Sequence, residues 1–408
     1  MSVFLGSVHE TREPLGARRG TMRQLVRVRR RLGLISSLLI LMVVACTLAP
    51  ATPPVEIRIG LITTLSGDLA DAFGPPTVDA AKLAIQPVND AGGLELGGQR
   101  QKVTLVIEDD QDRAEVAAGA AQKLINQEKV VALIGPSVSR NAIPVADVAE
   151  SAHMPMISPN STNPATTAGK KYAFRAVFID PFQGRVIARF ARDDLQAQKA
   201  AVLYDIASAY NKGIAEVFKQ AFTESGGEVV AFEPYTTGEK TFSAQLARIK
   251  QSGASVLFLP NYDNEVPSQA QQARQAGISA TLLGSDTWST IKPADRAVLE
   301  GGFFSGSWSS ALPSDQAQAF VKAFRQLYNS EPTDISALTY DAFGLLFEAI
   351  KSQKKAEPEA IRDGLAGIKD YKGVTGSIGY LGSGDPVKSA VISQIKDGAF
   401  VLYKQVNP

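Results

Sequence analysis

The sequence predicts an α/β protein built from two doubly wound parallel-sheet lobes. Short β-rich runs alternate with helical stretches through two successive blocks of similar size. Runs such as residues 130–134 are apolar at every position, which is typical of a parallel strand covered by helices on both faces. The chain has 408 residues, and single hydrophobic cores stop growing near ~250–300 residues. These three observations together indicate two domains of the same class.

The first block alternates four strands with three helices. The strands are rich in Val, Ile and Leu and span residues 57–62, 103–107, 130–134 and 154–157. The helices have apolar periodicity or many alanines and span residues 77–91, 114–127 and 145–152. Gly92 and Gly93 follow the first of these helices, and a glycine pair is a common helix stop. Because the order is strand, helix, strand throughout, this block predicts a parallel sheet.

The second block repeats the same plan without a detectable sequence repeat. Its strands are again aliphatic or β-branched and span residues 200–204, 228–232, 255–259 and 281–284. Its helices span residues 212–225, 242–252 and 268–276. Gly226 and Gly227 end the first of them. In open parallel sheets, ligands bind beyond the carboxyl ends of the strands. The loops that follow these strands are therefore where we expect functional side chains.

The N-terminal 45 residues have the layout of a secretory signal peptide. Seven arginines between residues 18 and 31 precede an uncharged apolar run at residues 32–45. Residues 43–46, Val-Val-Ala-Cys, resemble the bacterial lipobox, in which the cysteine is lipidated after cleavage. Cys46 is the only cysteine of the chain. We therefore expect a signal peptide at 1–45, lipidation at Cys46 and an extracytoplasmic protein anchored to the membrane.

Two alternatives remain open for this segment. Residues 32–55 contain no Lys, Arg, Asp or Glu, so an uncleaved membrane anchor is the competing interpretation. Its apolar core is shorter than the ~20 residues that a spanning helix needs. The arginine cluster predicts the same orientation in both cases. Met22 is a second possible start, because residues 22–46 alone contain every part of a signal peptide.

Charge and composition after the signal peptide exclude several classes of function. Residues 46–54 are small and proline-rich, which predicts a tether. Residues 1–45 contain eight Arg and two Glu, a net +6, whereas the whole chain carries +1, so the remainder carries −5. A nucleic-acid-binding protein needs a basic face, so no nucleic-acid partner is expected.

The chain after residue 45 has few of the side chains that catalytic and metal sites need. The chain after residue 45 has one histidine, His153, and only Cys46 as a thiol. Zinc sites and nucleophile–base sets need more of these side chains, and no P-loop, GxSxG or HExxH motif is present. The acidic run at residues 108–112 is either a cation site or a solvated strand end. We therefore expect no enzyme, no metal and no cofactor.

A series of loop motifs follows the predicted strands in a fixed order. In sequence they are LSG (65–67), FG (73–74), NDAGG (89–93), EDDQ (108–111), IGPS (134–137), ISPNSTNP (157–164), Tyr210, TFS (241–243), QAR (272–274) and GSD (284–286). This series resembles the Leu/Ile/Val-binding protein family, the extracytoplasmic receptors of branched-chain amino acid ABC importers. The resemblance covers nearly all of residues 55–408. It implies a type I periplasmic binding protein, with two lobes joined by a three-strand hinge.

The resemblance also implies a ligand site between the lobes. Ser139, Asn160 and Thr162 fall where the family's first lobe holds the ligand carboxylate, near helix N-termini that favour anions. Asp286 falls where an acidic side chain receives the α-ammonium group. Taken alone, Ser139 is equally an ordinary helix N-cap, and Asp286 is equally a turn residue. Three aromatic residues complete the site that the resemblance implies: Tyr210 and Tyr262, which contact the ligand as the cleft closes, and Phe73, in a loop that lines the pocket.

The resemblance further predicts domain boundaries and partners. Lobe 1 is expected at residues 55–176 and 306–376, and lobe 2 at 177–305 and 377–408. The expected function is capture of a branched-chain or related amino acid by a monomeric receptor, and its delivery to ABC permease subunits. A ligand sensor of the same fold is the alternative, as is a receptor for an amide, urea or an aromatic acid. Asn211, where the family often has glycine, and Pro260-Asn261 before Tyr262 depart from the family pattern and alter the pocket wall.

Overall fold

Two central β-sheets organise residues 56–408, the part of the chain that the computed structural model describes. Each sheet has helices on both faces, and the two sheets belong to two lobes. The predicted fold class, two doubly wound α/β lobes of the type I periplasmic binding protein kind, is therefore confirmed. The predicted signal peptide, the predicted lipidation site Cys46 and the predicted tether lie outside the described residues.

The first sheet has five parallel strands in the order β4-β1-β5-β6-β7. The strands are β1 (Ile57–Thr63), β4 (Val103–Asp109), β5 (Ala132–Ile134), β6 (Met156–Ser158) and β7 (Ala173–Arg175). A two-stranded hairpin between β1 and β4 consists of β2 (Leu94–Leu96) and β3 (Gln99–Gln101). Leu61 in β1, which lies between β4 and β5, pairs with Ile107 on one side and Ile134 on the other. The loops after these strands therefore gather at one edge of the sheet.

Helices cover both faces of the first sheet. They are α1 (Ala70–Asp90), α2 (Ala114–Asn126), α3 (Ser139–Ser151), α8 (Asp315–Tyr328), α9 (Asp334–Gln353) and α10 (Pro358–Gly367). Ile59 and Leu61 pack into the core that contains residues of α1 and α9, whereas Ile62 and Leu133 face α2 and α3. Because alternate residues of one strand are buried on opposite faces, the strand is apolar throughout.

The second sheet has seven strands in the order β17-β16-β12-β11-β10-β8-β9. They are β8 (Lys199–Asp205), β9 (Glu228–Tyr235), β10 (Val256–Leu259), β11 (Thr281–Gly284), β12 (Phe303–Gly306), β16 (Ala390–Lys396) and β17 (Ala399–Val406). β8 to β12 are parallel, and the hairpin of β16 and β17 adds two antiparallel strands at one edge. The helices are α4 (Asp180–Arg189), α5 (Ala209–Glu224), α6 (Ser243–Ser252) and α7 (Val266–Gln275).

The chain passes between the two sheets three times. It leaves the first sheet after β7, returns to the first lobe after β12, and enters the second sheet again at β16. Before the last passage, β13 (Tyr371–Gly373), β14 (Gly376–Tyr380) and β15 (Pro386–Val387) form a small antiparallel sheet. The Tyr380 hydroxyl donates to the Arg175 carbonyl at 2.9 Å, which joins this small sheet to β7. The lobe boundaries given above stay a prediction.

Several element ends differ from the sequence prediction. The helix predicted at 77–91 begins earlier, at Ala70, and continues through Pro75 and Pro76. Proline lacks a backbone N–H and is unusual beyond the first turn of a helix, so local sequence does not indicate a helix across these two positions. The helix predicted at 145–152 begins at Ser139, so the loop before it is shorter than expected. Within residues 56–408, no helix combines the length and hydropathy needed to cross a membrane.

Candidate functional site

A cavity of about 350 Å³ lies between the carboxyl edges of the two sheets. Its lining comes from both lobes: Phe73, Ser137, Val138, Ser139, Asn160, Tyr210, Tyr262, Asp286, Thr287, Asp334 and Ile335. Six of the seven ligand-binding residues predicted from the sequence line this one cavity. Thr162 is the exception.

The first-lobe wall presents hydroxyls and a helix N-terminus. Gly135 directly follows β5 and has φ +86°. A Cβ at this position would come within 2.1 Å of the Ile62 carbonyl oxygen. Only glycine fits that close approach, and the turn brings the chain to Ser139, the first residue of α3. Val138 occupies the capping position, so Ser139 is not the N-cap. The first N–H groups of a helix lack partners within it, and they carry partial positive charge.

Side-chain hydrogen bonds orient this wall. The Ser161 hydroxyl donates to Ser139 Oγ at 3.0 Å, and the Ser137 hydroxyl donates weakly to Asn160 Oδ1 at 3.5 Å. Asn160 follows β6, and its side chain is buried. The wall therefore offers hydroxyl and N–H donors without a basic side chain among the cavity-lining residues. Such donors suit a carboxylate.

Thr162 lies one layer behind the wall. It is fully buried, and its Oγ1 has no hydrogen-bond partner of standard geometry among the described residues. Its backbone carbonyl accepts from the Asp180 N–H at 2.9 Å. Burial raises the pKa of Asp180 to about 7, the neighbouring Thr162 hydroxyl lowers it, and the charge of Asp286 raises it further. Thr162 is therefore placed to position the loop that carries Asn160.

The second-lobe wall presents a carboxylate. Asp286 follows β11 in a short 3₁₀ turn, where the Trp288 ring packs against Gly284 so closely that any side chain at 284 would clash. The Tyr210 hydroxyl and the Gln183 amide both donate to Asp286 Oδ1, the latter at 2.9 Å. Burial raises the pKa of Asp286, and these two hydrogen bonds oppose the shift. The carboxylate is thus held in one orientation with both side-chain donors on the same oxygen.

Aromatic rings cover the cavity between the two walls. The rings of Tyr210 and Tyr262 lie 5.5 Å apart, and both side chains are buried. Phe73 lines the cavity from the first lobe. It lies in the first turn of α1 and not in the loop that was expected. Phe73 is helical because α1 begins earlier than predicted, and this brings Phe73 over the end of β1. With Val138 and Ile335, these rings make part of the cavity apolar.

Contacts across the cleft hold the two lobes together. Arg140 forms an ion pair with Asp112 in the first lobe, and its guanidinium carbon lies 5.4 Å from the centre of the Tyr262 ring in the second. The Asn163 amide donates to the Ala209 carbonyl at 3.0 Å. The cleft is therefore closed in this structure, and the cavity is enclosed by residues of both lobes.

Five cavity-lining residues were not predicted from the sequence: Ser137, Val138, Thr287, Asp334 and Ile335. Asp334 and Ile335 begin α9, where Thr333 and Ser336 form a capping box. The sequence signal is a Pro-Thr-Asp start before an apolar helix, which predicts a helix N-terminus but not a place at the cavity. In the acidic run, Asp109 and Asp110 accept hydrogen bonds from the loop after β1, and no group of three His, Cys, Asp or Glu side chains that could hold a metal ion occurs within residues 56–408.

Comparison with known proteins decides the family. A family model described as "Periplasmic binding protein" matches residues 56–399. The chain belongs to this family. Its members are solute-binding proteins that work outside the cytoplasmic membrane. The extracytoplasmic placement predicted from the sequence agrees with this membership.

Individual relatives of this periplasmic binding protein are named as amino acid-binding proteins. It is 28% identical over 335 residues to the leucine-, isoleucine-, valine-, threonine- and alanine-binding protein of Pseudomonas aeruginosa, which covers 81% of this chain and 87% of that protein. The leucine-binding protein of Thermotoga maritima superposes with a TM-score of 0.80 at 31% identity, over 86% of this chain and 99% of that one.

A second solved structure is similar to the same extent. The substrate-binding protein of a branched-chain amino acid transporter of Streptococcus pneumoniae, in complex with isoleucine, gives a TM-score of 0.78 at 31% identity. The alignment covers 87% of this chain and all of that one. The predicted resemblance to Leu/Ile/Val-binding proteins is therefore confirmed at the level of the family.

Proposed function

We propose that this protein is a lipid-anchored receptor that captures an α-amino acid, branched-chain or related, between its lobes and delivers it to an ABC permease. The observation that carries the proposal is the pair of opposed walls in one closed cavity. Hydroxyl and N–H donors line the first-lobe wall, and the Asp286 carboxylate lies on the second. A zwitterion needs donors for its carboxylate and an acceptor for its ammonium group within a few ångströms of each other, and groups of both kinds line this cavity.

Each lining residue has a role in the proposal. Ser139 and Asn160, with the N–H groups that begin α3, hold the α-carboxylate. Asp286 receives the α-ammonium group on the oxygen that Tyr210 and Gln183 leave free. Phe73, Tyr210 and Tyr262 surround the rest of the ligand, and Thr162 positions the Asn160 loop. Because these groups come from both lobes, binding favours the closed form.

The anchor and the permease belong to the proposal as well. The lipobox at 43–46 and the absence of any other cysteine support lipidation at Cys46. The Streptococcus pneumoniae protein is the substrate-binding protein of a branched-chain amino acid transporter, which supports an ABC permease as the partner. The cavity is built for binding, with no nucleophile–base pair among its lining residues, so we propose no enzymatic activity.

A thermal-shift screen tests the proposed function. The purified protein is heated with each of the natural amino acids, with amides and urea, and with aromatic acids. A ligand at 100 times its dissociation constant adds ~2.7 kcal/mol to the free energy of unfolding. We expect the largest shift from an α-amino acid. A shift from amides or aromatic acids alone would contradict the proposal and favour the alternative receptor class.

A further inference from the structure

Asp334 has one carboxylate oxygen that the fold does not use. Its side chain is 3% exposed, and Oδ2 accepts the Ser307 backbone N–H at 2.9 Å. Oδ1 is buried and has no hydrogen-bond partner among the described residues. Asp334 lines the ligand cavity next to Ile335. Buried carboxylate oxygens are nearly always paired, because an unpaired one loses its hydration without compensation.

A structural role accounts for only half of this carboxylate. As the first residue of α9, Asp334 interacts favourably with the partial positive charge of the helix N-terminus. Its bond to Ser307 also ties the chain that leaves β12 to this helix. Neither role needs Oδ1. Burial raises the pKa of Asp334 to about 7, the charge of Asp286 adds to this, and the buried Lys388 ammonium opposes it.

The first-lobe lining of the cavity includes apolar side chains beside the polar ones of the donor wall. Phe73, Val138 and Ile335 line the same space. In the proposed binding mode, Ser139 and Asn160 hold the α-carboxylate and Asp286 the α-ammonium, so the remaining lining faces the ligand side chain. A purely aliphatic side chain would leave Oδ1 of Asp334 unpaired in the complex.

We propose that Asp334 makes the receptor select α-amino acids whose side chain carries a hydrogen-bond donor, a hydroxyl, amide or ammonium group, over aliphatic ones of the same shape. This inference rests on the proposed function and names its ligand class. The donor pairs with Oδ1, while Phe73, Val138 and Ile335 contact the side-chain carbons. Sites built to hydrogen-bond a ligand group reject analogues without it, because the partner is then left unpaired.

Calorimetric titration of the purified full-length protein with matched ligand pairs tests the inference. The pairs are threonine with valine, asparagine with leucine, and 2,4-diaminobutyrate with norvaline, whose members have equal numbers of heavy atoms. We expect at least one donor-bearing member to bind roughly 10- to 100-fold more tightly than its partner, the range that one buried unpaired acceptor produces. The pair with the largest ratio shows whether the donor is neutral or cationic.

Two variants test the assignment to Asp334. In Asp334→Asn the amide oxygen still accepts the Ser307 N–H, and the amide nitrogen replaces Oδ1. For the pair with the largest preference, the ratio of the two dissociation constants should therefore fall to about one. The control is Asp315→Asn, since Asp315 also begins a helix after a capping serine but is exposed and far from the cavity. Its ratio should equal that of the wild type, because only the helix-terminus charge is removed.

Three results would overturn the inference. The first is that, in every pair, the two members bind the wild-type protein with dissociation constants within about threefold of each other, or the aliphatic member binds more tightly. The second is that Asp334→Asn retains the wild-type ratio. Should that variant fail to fold, the ratios measured on the wild type still decide. The third is that no amino acid of either kind binds, which would overturn the proposed function and this inference with it.

Discussion

Replacing Asp286 with asparagine removes the charge that we assign to the ligand ammonium and little else. The asparagine Oδ1 can still accept from Tyr210 and Gln183, so the turn after β11 keeps its hydrogen bonds. The ligand cation would then lie without a countercharge in a cavity enclosed by both lobes. Removing one partner of such a pair costs about 2–5 kcal/mol. This corresponds to a roughly 30- to several-thousand-fold loss of affinity.

Isothermal titration of the amino acid found in the screen measures this loss. A matched control is Asp205→Asn, at the carboxyl end of β8 in the same sheet. Asp205 is buried and accepts from the Ala207 N–H at 2.8 Å and from the Thr237 hydroxyl, outside the cavity. It should lose thermal stability but keep its affinity. If Asp286→Asn binds within about threefold of the wild type, the ligand is not held by its α-ammonium group in this way.

Two further predictions concern the anchor and a buried acid. Cys46→Ser should release the protein from membranes or block its processing, which fractionation and intact mass can detect; a membrane-bound variant of unchanged mass would favour an uncleaved helix. Burial raises the pKa of Asp180 from 3.8 to about 7, so the native state binds the carboxyl proton more tightly than the unfolded state does. The free energy of unfolding therefore decreases as the pH rises from about 4 to about 7. Asp180→Asn should therefore gain at most ~4 kcal/mol over the wild type above pH 7 and progressively less below it, as measured by denaturant unfolding of the ligand-free protein; a gain independent of pH would contradict this reasoning.

Much of the fold was predictable because its signals are local. The apolar strands at 130–134, 255–259 and 281–284 needed burial on both faces, and that alone indicated parallel sheets with helical cover. Helix ends were predicted less well. α1 starts before two prolines, and the short β7 next to the hinge has only three residues, Ala173–Arg175. Three residues give too little periodicity for a strand to be recognised from sequence.

The candidate site was predictable where a lining residue follows a strand. Asn160, Tyr262 and Asp286 lie in loops at the carboxyl ends of parallel strands, which the topology brings to one edge. Asp334 could not be found in this way, because it reaches the cavity from the first turn of α9 and not from a loop that follows a strand. Its sequence context predicts only a helix N-terminus. The burial of Thr162 behind the wall likewise depends on Asp180, a contact between segments that local patterns do not reveal.

The most direct test of an amino acid receptor is a titration with three forms of its ligand. The amino acid itself is compared with its α-carboxamide and with the deaminated carboxylic acid, under one set of conditions. Both walls of the cavity must be used, so we predict that each altered form binds at least about 30-fold more weakly, the lower end of the cost of truncating a buried, hydrogen-bonded charged group. Equal binding of the deaminated acid would show that Asp286 does not receive an ammonium group, and it would contradict the account.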